Sequence, residues 1–335
     1  MTTVFVTHPT DKAGQYFGRK ATDALRVIAD VRFNIHARDM TTDELIAAAQ
    51  GCDAIIAYRQ TPAPAELFSQ LPELAAFIRC AVDIRTIDVA AASAHGVLVT
   101  QASAGFVPAV AEWIVGAMID LGRGTSQYAA AWRQGAPIAP FMGRELRGST
   151  LGVIGYGQIA QYLCRVALAL GMQVRVSTPE SIAAHDGLRQ VPMQALLGES
   201  DFVVCLAPAT PQTDKLMNAA AFAAMRQGTF FINAARGELV DDAALLKALD
   251  VGHLAGCALD VGRAPDQMPT PELARHPRVL ATPHIGGLTL PAVEHQALET
   301  VAQLAALQRG EMPRGAVNAA HATRVKAWMQ RSTAT

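Results

Sequence analysis

Leu151-Gly152-Val153-Ile154-Gly155-Tyr156-Gly157-Gln158-Ile159-Ala160 sets the fold. The first four residues read as a buried strand, the next six as a GxGxxA turn, and Gln161–Leu170 as an amphipathic helix. Strand, glycine turn and helix in that order make the dinucleotide-binding fingerprint. Gly155 permits the tight turn, Gly157 lets backbone approach a pyrophosphate, and the small Ala160 allows close helix–strand packing. Tyr156, Gln158 and Ile159 fall where a helix N-terminus offers unpaired N–H groups to an anion.

The fingerprint next asks for an acid about 20 residues on, at the end of a second strand. Gln173–Ser177 reads as that strand, and Thr178, 21 residues after Gly157, holds the acid's place; Pro179 and Glu180 follow. A hydroxyl neither pairs strongly with a ribose diol nor repels a 2′-phosphate. Arg175 and Arg189 are the nearby basic residues for such a phosphate, and Arg175 reads equally well as a paired or solvated strand residue. NAD is the expected cofactor, with NADP left open.

Outward from this turn, Leu151–Ile154, Gln173–Ser177, Phe202–Cys205, Thr229–Ile232, Leu254–Leu259 and Val279–Ala281 are short apolar runs. They read as six buried strands of one parallel sheet. Upstream, Val4–Thr7, Val31–His36, Ala54–Ala57, Ala76–Ile78 and Val97–Val99 alternate with helical stretches that include Thr42–Gln50 and Asp88–His95, which makes a smaller doubly wound unit. Between the two, Val107–Leu121 reads as a long apolar helix and Gly122–Gly148 as an irregular arm or connector; Pro291–Arg309 is a further helix. The class is α/β.

A chain of 335 residues fits roughly two domains. With 51% hydrophobic, 17% charged and 6% aromatic residues, a mainly disordered chain is excluded. Lys+Arg 28 against Asp+Glu 29 gives no field that would draw nucleic acid or an anionic membrane. The five cysteines contain no CxxC pair and suggest neither a disulfide framework nor a metal cage. MTTVFVTHPTDK lacks the pattern of a secretory signal, and Glu112 and Asp120 interrupt Val107–Leu121, which falls short of a membrane span. A soluble cytoplasmic protein is expected.

Five ordered blocks carry a family resemblance: GluLeuArgGlySerThrLeuGlyValIleGlyTyrGly at 145–157, LeuAlaProAlaThrProGlnThr at 206–213, AsnAlaAlaArgGlyGluLeuValAsp at 233–241, AlaLeuAspVal at 258–261 and ThrProHisIleGlyGlyLeuThr at 282–289. With them the chain resembles the D-isomer-specific 2-hydroxyacid dehydrogenases over nearly its whole length. The resemblance implies two doubly wound parallel-sheet lobes, with a Rossmann cofactor domain (101–286) inserted in a discontinuous flavodoxin-like substrate domain (1–100 and 287–335). A cleft between the lobes would hold a 2-oxo acid against the nicotinamide, and a homodimer would form through the cofactor lobe.

The resemblance also implies roles. Arg236 would bind the substrate carboxylate and carbonyl, as its planar donors suit. His284 would donate the proton in reduction and accept it in oxidation. Pro208, Thr213, Ala234, Asp260 and Gly286 would line the cofactor, Asp260 with a structural role equally open. The family's third catalytic group, a glutamate that orients the histidine, falls on Pro265, and Asp266 one residue later is the candidate replacement. On the substrate side, Arg59, Val82 and Asp83 are implied contacts. Asp83 stands where a glycine is usual, which is unfavourable beside an anion unless it points away or pairs with Arg85. Phe106 replaces a usual asparagine, while Glu112 fits the pattern. Arg59, Arg85 and Arg263 are candidates for a second anionic group of the substrate. The expected function is thus hydride transfer between NAD(P)H and a 2-oxo acid/D-2-hydroxy acid pair. The alternative is a low-turnover, dinucleotide-sensing or corepressor-like protein on the same fold.

Overall fold

Runs too apolar to face water on either side become strands covered on both faces. The computed structural model describes residues 2–183 and 185–332, and the chain divides into two units, Met1–Phe106 with Thr289–Thr335, and Val107–Leu288.

The first unit holds β1 (Thr3–Val6), β2 (Asp30–Phe33), β3 (Ala54–Ala57), β4 (Ala76–Arg79) and β5 (Leu98–Gln101). All are parallel, in the order β2-β1-β3-β4-β5. This is the flavodoxin-like order, whose switch point lies between β1 and β3. Val4, Val6, Ile56 and Ile78 pack with Leu25, Leu304, Leu307 and Trp328 of the helices on one face. Ile55, Phe77 and Val99 pack with Leu45, Leu67 and Phe68 on the other. The helix Thr42–Ala48 begins on a capping box: Thr41 accepts from the Glu44 N–H, and the Glu44 carboxylate accepts from the Thr41 N–H.

The second unit holds β6 (Thr150–Ile154), β7 (Gln173–Ser177), β8 (Leu188–Gln190), β9 (Phe202–Cys205), β10 (Thr229–Asn233), β11 (Leu254–Leu259) and β12 (Val279–Ala281). They form one parallel sheet in the order β12-β11-β10-β9-β6-β7-β8. The chain winds one way from β6 to β8 and the other way from β9 to β12, so its switch point lies between β6 and β9, beside the glycine turn. Leu196, Phe222, Leu245 and Leu249 cover the sheet through Val203, Phe231 and Cys257.

Three sequence expectations need correction. The sheet has seven strands, because Leu188–Gln190 adds an edge strand that the apolar runs did not reveal. The stretch Gly122–Gly148 is not irregular throughout, since Thr125–Arg133 is helical. The helix after the glycine turn starts at Gln158, three residues earlier than its apolar periodicity suggests. No helix among the described residues is long and apolar enough to cross a membrane.

Candidate active site

The glycine turn leaves an opening at a helix end. Gly155 adopts φ +90, and a Cβ there would lie 2.8 Å from the Leu206 carbonyl oxygen and 2.9 Å from Ala207 Cα. Its N–H donates to the Ser177 carbonyl at 2.8 Å, which ties the end of β7 to the turn. Gly157 is the N-cap of the helix Gln158–Ala169, with no side-chain cap, and a Cβ built on it meets nothing within 4 Å. A helix N-terminus without a side-chain cap and with open space at Gly157, with Ala160 buried behind it, fits a dinucleotide pyrophosphate.

The loops that follow β9, β10, β11 and β12 emerge at this same carboxyl edge of the sheet. Pro208 and Thr213 lie in the β9 loop, where the Thr213 hydroxyl donates to the Pro208 carbonyl at 2.7 Å. Asn233, the last residue of β10, shapes the next loop: its amide donates to the Arg236 carbonyl at 2.9 Å, and its Oδ1 accepts from the Ala235 N–H at 3.1 Å. This turn carries Ala234 and presents Arg236, whose Nη1 donates to the Ala235 carbonyl at 2.7 Å. Asn233 stood within a quoted sequence block, yet its loop-building role needs the coordinates.

Asp260 follows β11 directly and is 3% exposed. Its Oδ1 accepts from the Thr282 hydroxyl at 2.6 Å and the Ile285 N–H at 2.8 Å, and its Oδ2 accepts from the Gly286 N–H at 2.7 Å. One carboxylate thus fixes the segment Thr282–Gly286 from both ends, with His284 at its crest. His284 itself has φ +56, a region uncommon for a side chain larger than glycine.

Asp266 meets His284 through its main chain. The His284 Nδ1 lies 3.0 Å from the Asp266 main-chain carbonyl oxygen. A carbonyl only accepts, so the proton sits on Nδ1 and Nε2 is left to exchange a proton with a ligand. The bend that aims this carbonyl has Asp266 and Gln267 both at φ +58. The loop is braced in turn, since the Gly262 N–H donates to the Gln267 carbonyl at 2.7 Å. A Cβ on Gly237, next to Arg236, would lie 2.2 Å from the Gly262 carbonyl carbon. Backbone contacts therefore run from the Arg236 turn through Gly262 to the His284 support.

Several candidate residues have local partners. Arg175 donates from Nε to Glu199 at 3.0 Å, which makes it a paired strand residue. Arg263 donates to the Glu238 carbonyl at 2.9 Å and the Val240 carbonyl at 3.2 Å and pairs with Asp214 at 3.3 Å, so it clamps these loops together. Arg85 pairs with Asp83 at 2.8 Å, resolving the question of Asp83's charge through the pairing alternative and engaging Arg85 locally. Glu112 is exposed on its helix, and Phe106 is half-buried at the end of the first unit.

In that first unit, Arg59 follows β3, and Val82 and Asp83 follow β4. The Arg59 guanidinium lies over the rings of Tyr16 and Tyr58, 5.3 and 5.8 Å from their centroids, and its Nε donates to the Tyr58 hydroxyl at 3.3 Å. Arg79, fully buried and not singled out in the sequence, holds this edge together. Its guanidinium donates to the carbonyls of Tyr58 and Thr61 and to the Thr86 hydroxyl. Burial pulls its pKa down to about 10, so it stays charged at neutral pH.

The sequence model of the D-isomer specific 2-hydroxyacid dehydrogenase NAD binding domain matches residues 115–286. The chain is 32% identical over 316 residues to D-3-phosphoglycerate dehydrogenase 3, chloroplastic, of Arabidopsis thaliana, covering 93% of this chain and 53% of the relative. It spans about half the length of the curated relatives it matches. Among solved structures, D-2-hydroxyisocaproate dehydrogenase is similar with a TM-score of 0.83 at 26% identity, covering 95% of this chain and all of that one (100%). The D-lactate dehydrogenase of Aquifex aeolicus, solved with NAD and lactic acid, gives 0.76 at 25% identity, covering 92% and 96%. A glycine turn open to a pyrophosphate, set within a matched NAD-binding domain that spans half of the chain, leads to its placement: the chain belongs to the D-isomer-specific 2-hydroxyacid dehydrogenase family.

Proposed function

We propose that the protein is an NAD(P)-dependent oxidoreductase that interconverts a 2-oxo acid and the corresponding D-2-hydroxy acid. The observation that carries this reading is the loop framework at the carboxyl edge of the seven-stranded sheet, in which Asn233, Asp260 and the Asp266 carbonyl hold Arg236 and His284. Bound NADH supplies the hydride. Arg236 binds the substrate carboxylate and draws electron density from the reacting carbonyl, which its planar donors do without losing charge. In reduction His284 acts from its imidazolium form, its Nε2 giving the proton that the new alkoxide needs and its ring returning to the neutral Nδ1–H form, which stays on the Asp266 carbonyl as an orienting bond. Asp266 thereby acts through its main chain as a positioning residue. Gly155 to Ile159, Pro208, Thr213, Ala234 and Gly286 are the proposed cofactor contacts. Arg59, Val82 and Asp83 are the proposed substrate contacts of the first unit. A homodimer and a cytoplasmic location complete the reading, the latter supported by five buried free thiols.

The names of the relatives, D-3-phosphoglycerate, D-2-hydroxyisocaproate and D-lactate dehydrogenases, support a D-2-hydroxy acid as product. A low-turnover dinucleotide sensor is the second reading, favoured by a main-chain carbonyl standing beside His284 where the family resemblance implies a glutamate. NADH absorbance followed with glyoxylate, hydroxypyruvate and pyruvate separates the two. Decay with at least one acid is expected, and Arg236→Lys is expected to lower it by about a hundredfold because the bidentate fork is lost. NADH binding without decay on any acid selects the sensor, and full activity of the lysine variant removes the clamp.

A further inference from the structure

The strand end that lacks an acid has one folded back onto it. Thr178, the first residue beyond β7, donates its hydroxyl proton to the Glu180 carboxylate at 2.7 Å. The side chain of Gln190, the last residue of β8, clamps the same three residues. Its Nε2 donates to the Thr178 carbonyl at 3.0 Å and the Glu180 carbonyl at 2.8 Å, and its Oε1 accepts from the Ile182 N–H at 3.1 Å. The segment is anchored to the glycine turn as well, through the Gly155 N–H to the Ser177 carbonyl. Glu180 is therefore not a loose surface acid. Its carboxylate is held at the end of the second strand of the nucleotide fold, where an acid meets the ribose of NAD.

We propose that Glu180 is the cofactor-selecting residue of this chain, its carboxylate accepting from the ribose 2′-hydroxyl of NAD and repelling the 2′-phosphate of NADP. The inference rests on the reading of Gly155–Ala160 as a dinucleotide site. A carboxylate offers about four acceptor positions, of which the Thr178 hydroxyl uses one, so acceptor capacity remains for a ribose hydroxyl. The Thr178 hydrogen bond also keeps the Glu180 carboxyl below the usual carboxylate range, so it is charged at neutral pH. The basic residue nearest along β7, Arg175, is spent on Glu199. Arg189, its register partner on β8, is exposed and lies on the strand next to Glu180's clamp, so the experiment separates its contribution.

Dissociation constants for NADH and NADPH are measured on the full chain by nicotinamide fluorescence, for wild type, Glu180→Gln, Thr178→Val and Arg189→Ala. Wild type is expected to prefer NADH by on the order of thirtyfold or more, and Glu180→Gln to cut that ratio by about tenfold, tightening NADPH while weakening NADH. Thr178→Val is expected to move the ratio the same way by a smaller factor, since it frees the carboxylate without removing it. Arg189→Ala is expected to leave the ratio within about twofold. Equal affinity for both cofactors in wild type, or an unchanged ratio in Glu180→Gln with unaltered circular dichroism, overturns the proposal. Binding of neither cofactor overturns the dinucleotide reading itself, a result distinct from loss of discrimination.

Discussion

His8, just past the end of β1, is 2% exposed and packed against the rings of Phe17 and Tyr58, at centroid distances of 5.0 and 5.2 Å. Neither of its ring nitrogens has a hydrogen-bond partner among the described residues. Burial first, and the Arg79 charge second, push its pKa from 6.5 down to about 3. The unfolded chain thus takes up a proton at His8 near pH 6.5, and the folded chain does so only near pH 3. Its contribution to stability is complete above pH 6.5 and lost as the pH falls from there toward 3, with about 2 kcal/mol gone by pH 5. His8→Phe keeps an aromatic body among aromatic neighbours and removes the titrating group. Urea midpoints at pH 7 and pH 5 are expected to show a smaller acid loss in the variant than in wild type, by about that amount. Identical losses in both would show that His8 does not carry this part of the acid sensitivity.

At the scale of the element, the β6–turn–helix unit separates two kinds of glycine that look alike in sequence. Gly155 has φ +90 and the Leu206–Ala207 backbone against it. Gly157 has an ordinary φ of −72 and open space in front of it. Gly155→Ala is expected to cost about 1–3 kcal/mol and lower the melting temperature by about 5 °C. Gly157→Val is expected to melt within about 2 °C of wild type while binding NADH about tenfold or more weakly, because the side chain fills space meant for a phosphate. Normal cofactor affinity in the valine variant would remove Gly157 from the site. Spacing alone made both glycines legible, but only the approach of the Leu206–Ala207 loop tells them apart. The same limit explains the other surprises. Asp266 was placed by counting positions, whereas two residues at φ +58 turn its carbonyl to His284. Glu180 lies two places beyond the position where the fingerprint asks for an acid, and it folds back onto Thr178. The inner strands were readable because both their faces are buried. β8 was missed because two of its three residues are exposed, and the helix Thr125–Arg133 because it has no buried face to impose a period.

At the scale of the whole molecule, that helix and the segment after it raise a solubility problem that one protomer leaves unsolved. Trp132 is 69% exposed and Met142 97%, with Ile138 and Phe141 also in the open. The segment is held in place: the Tyr128 and Phe141 rings stack at 5.3 Å, and the Tyr128 hydroxyl accepts from the Phe141 N–H at 2.7 Å. An ordered apolar patch of this kind marks an interaction surface, because leaving it in water forgoes burial worth about 1.5–3 kcal/mol for each large side chain. The proposed homodimer would cover it with the same patch of a second copy, as a two-fold interface requires. Sedimentation equilibrium is expected to give twice the chain mass of 35.4 kDa for wild type. A variant carrying both Trp132→Glu and Met142→Glu is expected to give the single-chain mass with its circular dichroism unchanged, since neither side chain belongs to a core. If wild type sediments as one chain at micromolar concentration, or the charged variant still sediments as two, the arm is not the contact and its apolar residues need another partner.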